Sequence, residues 1–151
     1  MMVLVDTSAW IEYRRGTGSP HNTYVREAIL TDRPLAWTEP VLYELTAGAR
    51  SPRRAAELRG LLLRGPILAV EGLQDWEVVA QLHRSARSRG LTVRSSIECL
   101  IAAVALRTGS LVLARDRDFE ALAQVSDLVV EHPQPYGQRD RLDGEVTAHA
   151  S

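Results

Sequence analysis

Lysine is absent from this chain of 151 residues, and all 18 of its basic side chains are arginine. Haloacid-dehalogenase-like phosphatases, response-regulator receivers and P-loop enzymes each use a lysine beside a phosphoryl group, so all three are excluded. Cysteine occurs once, at Cys99, which rules out an internal disulfide framework and a thiolate metal cluster and makes the cytoplasm the expected compartment. No apolar run approaches the ~18 residues that span a bilayer, and no signal-peptide pattern is present, so no membrane partner is expected. A glycine-rich phosphate loop, a Ser–His–Asp order and an internal repeat are missing too. The net charge is only −1, so no global basic field advertises nucleic acid. Arginine forks can still bind phosphate locally, although codon usage in a GC-rich genome explains the same bias.

What remains, 45% apolar and 25% charged residues, is the composition of one ordinary globular domain. Two apolar runs organise it. Val3-Leu4-Val5 ends abruptly in Asp6-Thr7-Ser8, and Leu111-Val112-Leu113-Ala114 ends in Arg115-Asp116-Arg117-Asp118. Shorter runs at 35–37, 67–70 and 128–130 read as further strands. Helical spacing fills the intervals at about 7–15, 22–31, 39–47, 52–63, 73–89, 96–106 and 119–123. The inward faces expected are Val25, Ala28, Ile29 and Leu30 in the second helix, and Trp76, Val79, Leu82, His83 and Ala86 in the fifth. Strands alternating with helices predict a three-layer α/β/α sandwich around a parallel sheet, with chemistry beyond the strand C-termini. Residues 1–131 are expected to form the domain and 132–151 a poorly ordered tail, since two prolines, two glycines and scattered charge follow Glu131 without periodicity.

Asp6 and Asp116 therefore fall at the active edge of such a sheet, with Asp118 two residues on. Each has a plainer alternative: Asp6 as a helix N-cap, the other two as a turn with a cap. Glu44 lies at the edge of a packed helical face, where a solvated acid is the ordinary reading. Glu98 sits in the first turn of an apolar helix, and Ser95-x-x-Glu98 also reads as a capping box. Taken together, the acids suit Mg²⁺ or Mn²⁺, because a site without thiolates or clustered His must use carboxylate oxygen. The chemistry implied is metal-assisted hydrolysis of a phosphodiester.

The stretches Val3–Trp10, Glu39–Leu45, Val93–Ala103 and Ala114–Phe119 resemble, in order and spacing, a PIN domain, and more narrowly the VapC ribonuclease toxins of bacterial toxin–antitoxin pairs. The resemblance covers about residues 2–131. It implies a sheet ordered 3-2-1-4-5 and an endoribonuclease dependent on Mg²⁺ or Mn²⁺. Its four acids map onto Asp6, Glu44, Glu98 and Asp116, with Asp118 as a more variable acid and Ser8 as a polar residue near the metal. It further implies a homodimer, inhibition by a VapB-like antitoxin whose tail blocks the site, and cleavage of tRNA or an rRNA loop that blocks translation.

One position departs from the pattern. The third acid is ordinarily Asp, and here it is Glu98, whose extra methylene carries the carboxylate outward by roughly 1.5 Å. Since Mg²⁺ is strict about octahedral geometry, altered activity is expected, and a non-catalytic PIN-like module that binds RNA or protein is the alternative. Arg14, Arg15, Arg50, Arg53, Arg54, Arg87, Arg89, Arg94 and Arg115 are the candidate phosphate contacts, although a solvated basic face explains any one of them.

Overall fold

A computed structural model describes residues 1–134, so the expected tail beyond that point lies outside the described residues. The central strand β1 (Val3–Val5) pairs in parallel with β2 (Leu35–Ala36) on one side and β3 (Leu111–Leu113) on the other. Leu4 opposes Ala36 and Val112 in register. Successive strand residues point to opposite faces, and both Leu4 and Val5 are fully buried. Both faces of the sheet are therefore covered, which makes three layers.

Single parallel bridges extend the sheet outward, Trp37 to Ile67 and Val112 to Val130. The order 3-2-1-4-5 is thereby realised, but the two outer strands expected at 67–70 and 128–130 shrink to bridges. At one edge the Val70 N–H donates to the Glu39 carboxylate at 2.8 Å instead of to a strand. At the other, the ladder holds for only two hydrogen bonds, Val112 N–H to Val129 and Glu131 N–H to Val112.

Seven helices occur among the described residues: α1 (Thr7–Arg15), α2 (Pro20–Leu30), α3 (Glu39–Ala47), α4 (Pro52–Leu62), α5 (Gly72–Ser88), α6 (Ser96–Thr108) and α7 (Arg117–Gln124). Ser19, Ser51 and Ser95 cap α2, α4 and α6 through their hydroxyls, and proline opens α2, α3 and α4 where its missing N–H costs little. Gly16 and Gly109 end α1 and α6 in the left-handed conformation that favours glycine. Helix α6 is buried without a break from Cys99 to Ala105, as its apolar sequence predicts. None of the described helices is long and apolar enough to cross a membrane.

Local expectations fail at four places. In α2, Ile29 and Leu30 face outward and Asn22 turns in, because its amide donates to the carbonyls of Glu12 and Tyr13 at the end of α1. In α5 the buried stripe is Asp75, Val79, Leu82 and Ala86 rather than one headed by Trp76, which is 47% exposed. Asp75 takes the inward position because Arg107 of α6 meets it there. Thr38 stands at the cap position of α3 but donates its hydroxyl to Glu39 rather than accepting from the helix. The last helix begins two residues before Phe119, because Asp116 caps it.

Candidate active site

The Asp6 N–H continues the ladder past β1, donating to the Leu113 carbonyl at 2.9 Å. That bond places Asp6 at the C-terminal edge of the sheet, in the middle strand, level with the end of β3. Its Oδ2 accepts from the Ser8 N–H at 3.0 Å and from the Ser8 hydroxyl, so Asp6 does cap α1, the plainer role that its place in the sequence allows. The cap uses only one carboxylate oxygen. Oδ1 is buried and has no hydrogen-bond partner.

The two hydroxyls after Asp6 reach other parts of the site. Ser8 accepts the Arg115 N–H at 2.9 Å, which ties the end of β1 to the loop after β3. Thr7 donates to Glu44 Oε1 at 2.8 Å and so fixes the acid delivered by α3. The sequence points to Ser8 but assigns Thr7 no part in the site. A hydroxyl adjacent to Asp6 was a visible signal, whereas its partner 37 residues away was not.

Glu98 enters from the first turn of α6. The expected capping box does not form: Ser95 caps through the Ile97 N–H at 3.1 Å, and Glu98 Oε2 is left buried without a partner. Asp116 caps α7, accepting the Asp118 N–H at 2.9 Å. Asp118 is buried and accepts the Arg94 N–H at 3.1 Å. The Arg94 guanidinium lies 3.5 Å from both Asp116 Oδ1 and Asp118 Oδ1. Both oxygens of Asp118 thus have a partner within the chain, unlike those of Asp6.

Electrostatics couples these residues. Burial pushes the Asp6 carboxyl up to about 6 against the opposing Ser8 hydrogen bonds, and the charges of Glu44 and Glu98 push the same way. Glu44 is also raised, by burial first and then by Glu98 and Asp116, while the Thr7 hydrogen bond lowers it. The Cys99 thiol is pushed up to about 11 by burial and by the charges of Glu98 and Asp118, which leaves it protonated and unreactive at neutral pH. Acids from four elements therefore repel one another at one sheet edge.

The donor set suits a hard divalent cation: oxygen atoms only, two of them buried and unpartnered, carried by groups that gain when a positive charge arrives. As the side chains stand, no three acids, histidines or cysteines among the described residues converge on one ligating point. Glu44 and Glu98 are the long, rotatable members of the set.

The candidate arginines separate into groups. Arg14, Arg15, Arg50 and Arg54 line a groove of about 440 Å³ that also contains Glu44. Arg94 and Arg115 line a cleft with Asp116 and Asp118 on the other side, and Arg115 is paired with Glu12 at 2.6 Å. Arg53 faces Glu57, Arg89 donates to the Gln124 carbonyl, and Arg87 joins neither wall.

Residues 3–125 match the model of the PIN domain. Ribonuclease VapC11 of Mycobacterium tuberculosis is 39% identical over 128 residues, covering 84% of this chain and 96% of that protein. A VapC ribonuclease of Mycobacterium bovis is equally similar. Among solved structures, VapBC2 from Rickettsia felis bound to a promoter DNA fragment aligns with a TM-score of 0.68 at 17% identity, over 87% of this chain and 98% of that one. VapC20 of M. tuberculosis, described as a toxin that cleaves the sarcin–ricin loop, aligns with a TM-score of 0.60 at 20% identity, over 83% and 98%. The chain belongs to the PIN-domain family and, within it, to the VapC ribonucleases of toxin–antitoxin pairs.

Proposed function

We propose that this protein is an endoribonuclease toxin that depends on Mg²⁺ or Mn²⁺ and hydrolyses RNA phosphodiester bonds. Residues 1–131 act as one PIN domain. The observation that carries the reading is Asp6: a carboxylate at the end of the central strand, buried to 3% exposure, with one oxygen unpartnered and the charges of Glu44 and Glu98 on it. Such a group is costly to keep ionised unless a cation binds it.

Asp6, Glu44, Glu98 and Asp116 are the proposed metal-holding residues, with Ser8 and Asp118 supporting them. A bound ion would supply a water of lowered pKa and stabilise the leaving oxygen. The chain's own parts do the positioning. Thr7 holds the Glu44 carboxylate, Ser8 locks the Asp6 loop to the Arg115 backbone, and Asp116 and Asp118 keep the start of α7 at the site. These hydrogen bonds from backbone and hydroxyl groups keep Asp6, Glu44 and Asp116 aimed while the substrate is absent, whereas Glu98 Oε2 has no partner.

By likeness to the relatives, tRNA or an rRNA loop is the proposed substrate, translation the process blocked, and the cytoplasm its place of action. A VapB-like antitoxin is the proposed inhibitor and a homodimer the proposed assembly. The test is incubation with total tRNA and rRNA, with Mn²⁺ or with chelator, beside Asp6→Asn. Cleavage that needs the metal and disappears in Asp6→Asn supports the reading. RNA held but never cut, at any Mg²⁺ or Mn²⁺ level, moves the assignment to a catalytically weakened RNA- or protein-binding module. The observations that favour this second reading are the longer Glu98 and the absence of a preformed three-ligand point among the described residues.

A further inference from the structure

The two flanks of the acidic centre are not equivalent in free positive charge, and we infer that RNA is gripped on one flank only, in the groove between α1, α3 and the start of α4, with Arg14, Arg15 and Arg50 as the phosphate contacts. This rests on the nuclease reading for the identity of the ligand.

The groove opens beside Glu44, with Ile11 and Leu45 in its wall. Arg14 and Arg15 come from the last turn of α1, and Arg50 from the link between α3 and α4. All three are exposed, and among the described residues none has a carboxylate partner. None of the three pairs with Glu44 among the described residues, and its carboxylate accepts from the Thr7 hydroxyl instead. Arg54, the fourth cation of the groove, is shared with Glu57 at 3.0 Å.

On the opposite flank the cleft beside Asp116 has three arginines, but Arg94 is held by Asp116 and Asp118, and Arg115 by Glu12. Only Arg117 is left without a carboxylate there among the described residues. Fixed acids already neutralise that side, whereas the Glu44 side presents three unneutralised guanidinium groups in a concave wall. In a chain whose net charge is −1, this is a local feature, and a polyanion with regularly spaced charges is the occupant that matches it. Guanidinium groups bind phosphate oxygens in pairs of hydrogen bonds, and the apolar wall can take a ribose or base face.

The experiment measures binding of a 2′-O-methyl oligoribonucleotide, which cannot be cleaved through its 2′-hydroxyls, by the full chain in chelator across a salt series. Each phosphate contact to a single strand contributes about 0.7 to the slope of log K against log salt. Arg14→Ala/Arg15→Ala/Arg50→Ala is expected to flatten the slope by about 2 and to weaken binding at least tenfold. Arg115→Ala/Arg117→Ala should change the slope by less than about 1. Because these side chains are exposed, thermal melts of both variants should overlay the parent, which separates lost contacts from lost fold. A wild-type slope in the triple variant, or a larger flattening in the double variant, overturns the inference. So does a polyglutamate peptide that binds as tightly as the oligonucleotide and loses affinity in the same triple variant, since the groove is then a protein site. If the triple variant loses RNA binding but the parent cleaves no RNA with Mn²⁺, the one-flank grip stands and the nuclease reading fails.

Discussion

Asp75 and Asp6 are nearly equally buried, 1% and 3% exposed, yet their surroundings are opposite. Asp75, in α5, receives Arg107 Nε at 3.0 Å on one oxygen and a second guanidinium nitrogen at 3.0 Å, with the Glu71 N–H at 2.7 Å, on the other. Arg107 goes on to the Ala69 carbonyl and to Glu71, so the pair also binds the edge segment of the sheet. Burial alone would raise the Asp75 carboxyl, but the Arg107 and Glu71 hydrogen bonds outweigh it and hold it below the usual range. At Asp6 burial wins, because the nearby charges are other acids. One carboxylate is a completed structural joint, and the other is kept incomplete. Incomplete sites are where a fold stores affinity for something it does not contain.

Breaking the completed joint should have the largest effect on stability. Asp75→Ala leaves Arg107 without its main partner, and loss of one member of a buried pair costs about 3–5 kcal/mol. Urea denaturation should show the midpoint falling accordingly. An unchanged midpoint would mean that water replaces the carboxylate at no cost and that the two regions do not differ in kind.

Relieving the incomplete site should do the reverse. Lifting the Asp6 carboxyl from 3.8 to about 6 corresponds to about 3 kcal/mol of folding free energy lost at neutral pH, as an upper figure. Asn keeps the capping oxygen but carries no charge. Asp6→Asn is therefore expected to raise the thermal midpoint in chelator while abolishing metal-dependent cleavage. Millimolar Mn²⁺ should raise the parent's midpoint more than the variant's.

The pH dependence has opposite signs at the two sites. The native state holds the Asp6 proton more tightly than the unfolded chain. Its contribution to stability is therefore most favourable below about pH 4 and declines as pH rises to about 6, then stays level. Asp75 has a lowered value, so its contribution is present above the ordinary carboxylate value and is lost as pH falls through its native one. Difference curves of parent minus Asp6→Asn and parent minus Asp75→Asn, measured from pH 3 to 8, should slope in opposite directions. Parallel curves would contradict the contrast.

Two smaller changes sharpen the description of the incomplete site. Glu98→Asp draws the carboxylate back toward α6 and is expected to tighten Mn²⁺ binding about tenfold, or ~1.4 kcal/mol, by calorimetry. Equal affinity and rate would make the extra methylene immaterial. Thr7→Val removes the hydrogen bond that aims Glu44, with an expected stability change near 1 kcal/mol. Its cleavage rate should fall about tenfold, which a merely structural hydroxyl would not produce.

The elements were legible wherever a single chain segment carried the signal. The apolar runs at Val3 and Leu111 with their acid tips and the buried helix after Ser95 form as their local chemistry requires. Helix faces were less legible: the sequence favours Trp76 over Asp75 as the inward residue, since an isolated Asp belongs in water. Arg107 reverses that preference from a different helix, 32 residues away in the chain.

The same division holds at the active edge. Periodicity and residue type in the sequence by themselves determined that acids end the two main strands, because a strand's length and a helix's start are decided by neighbours in the chain. Only the tertiary structure decided which oxygens stay unpaired. Asp6 gives one oxygen to its cap and keeps the other, Glu98 fails to close its capping box, and Thr7 turns away from its own helix to Glu44. Each outcome is a competition between a local hydrogen bond and a distant one, and distance in space is fixed by packing rather than by sequence spacing. The division of arginines between a free groove and a neutralised cleft has the same origin, since an ion pair such as Arg115 with Glu12 joins residues 103 positions apart.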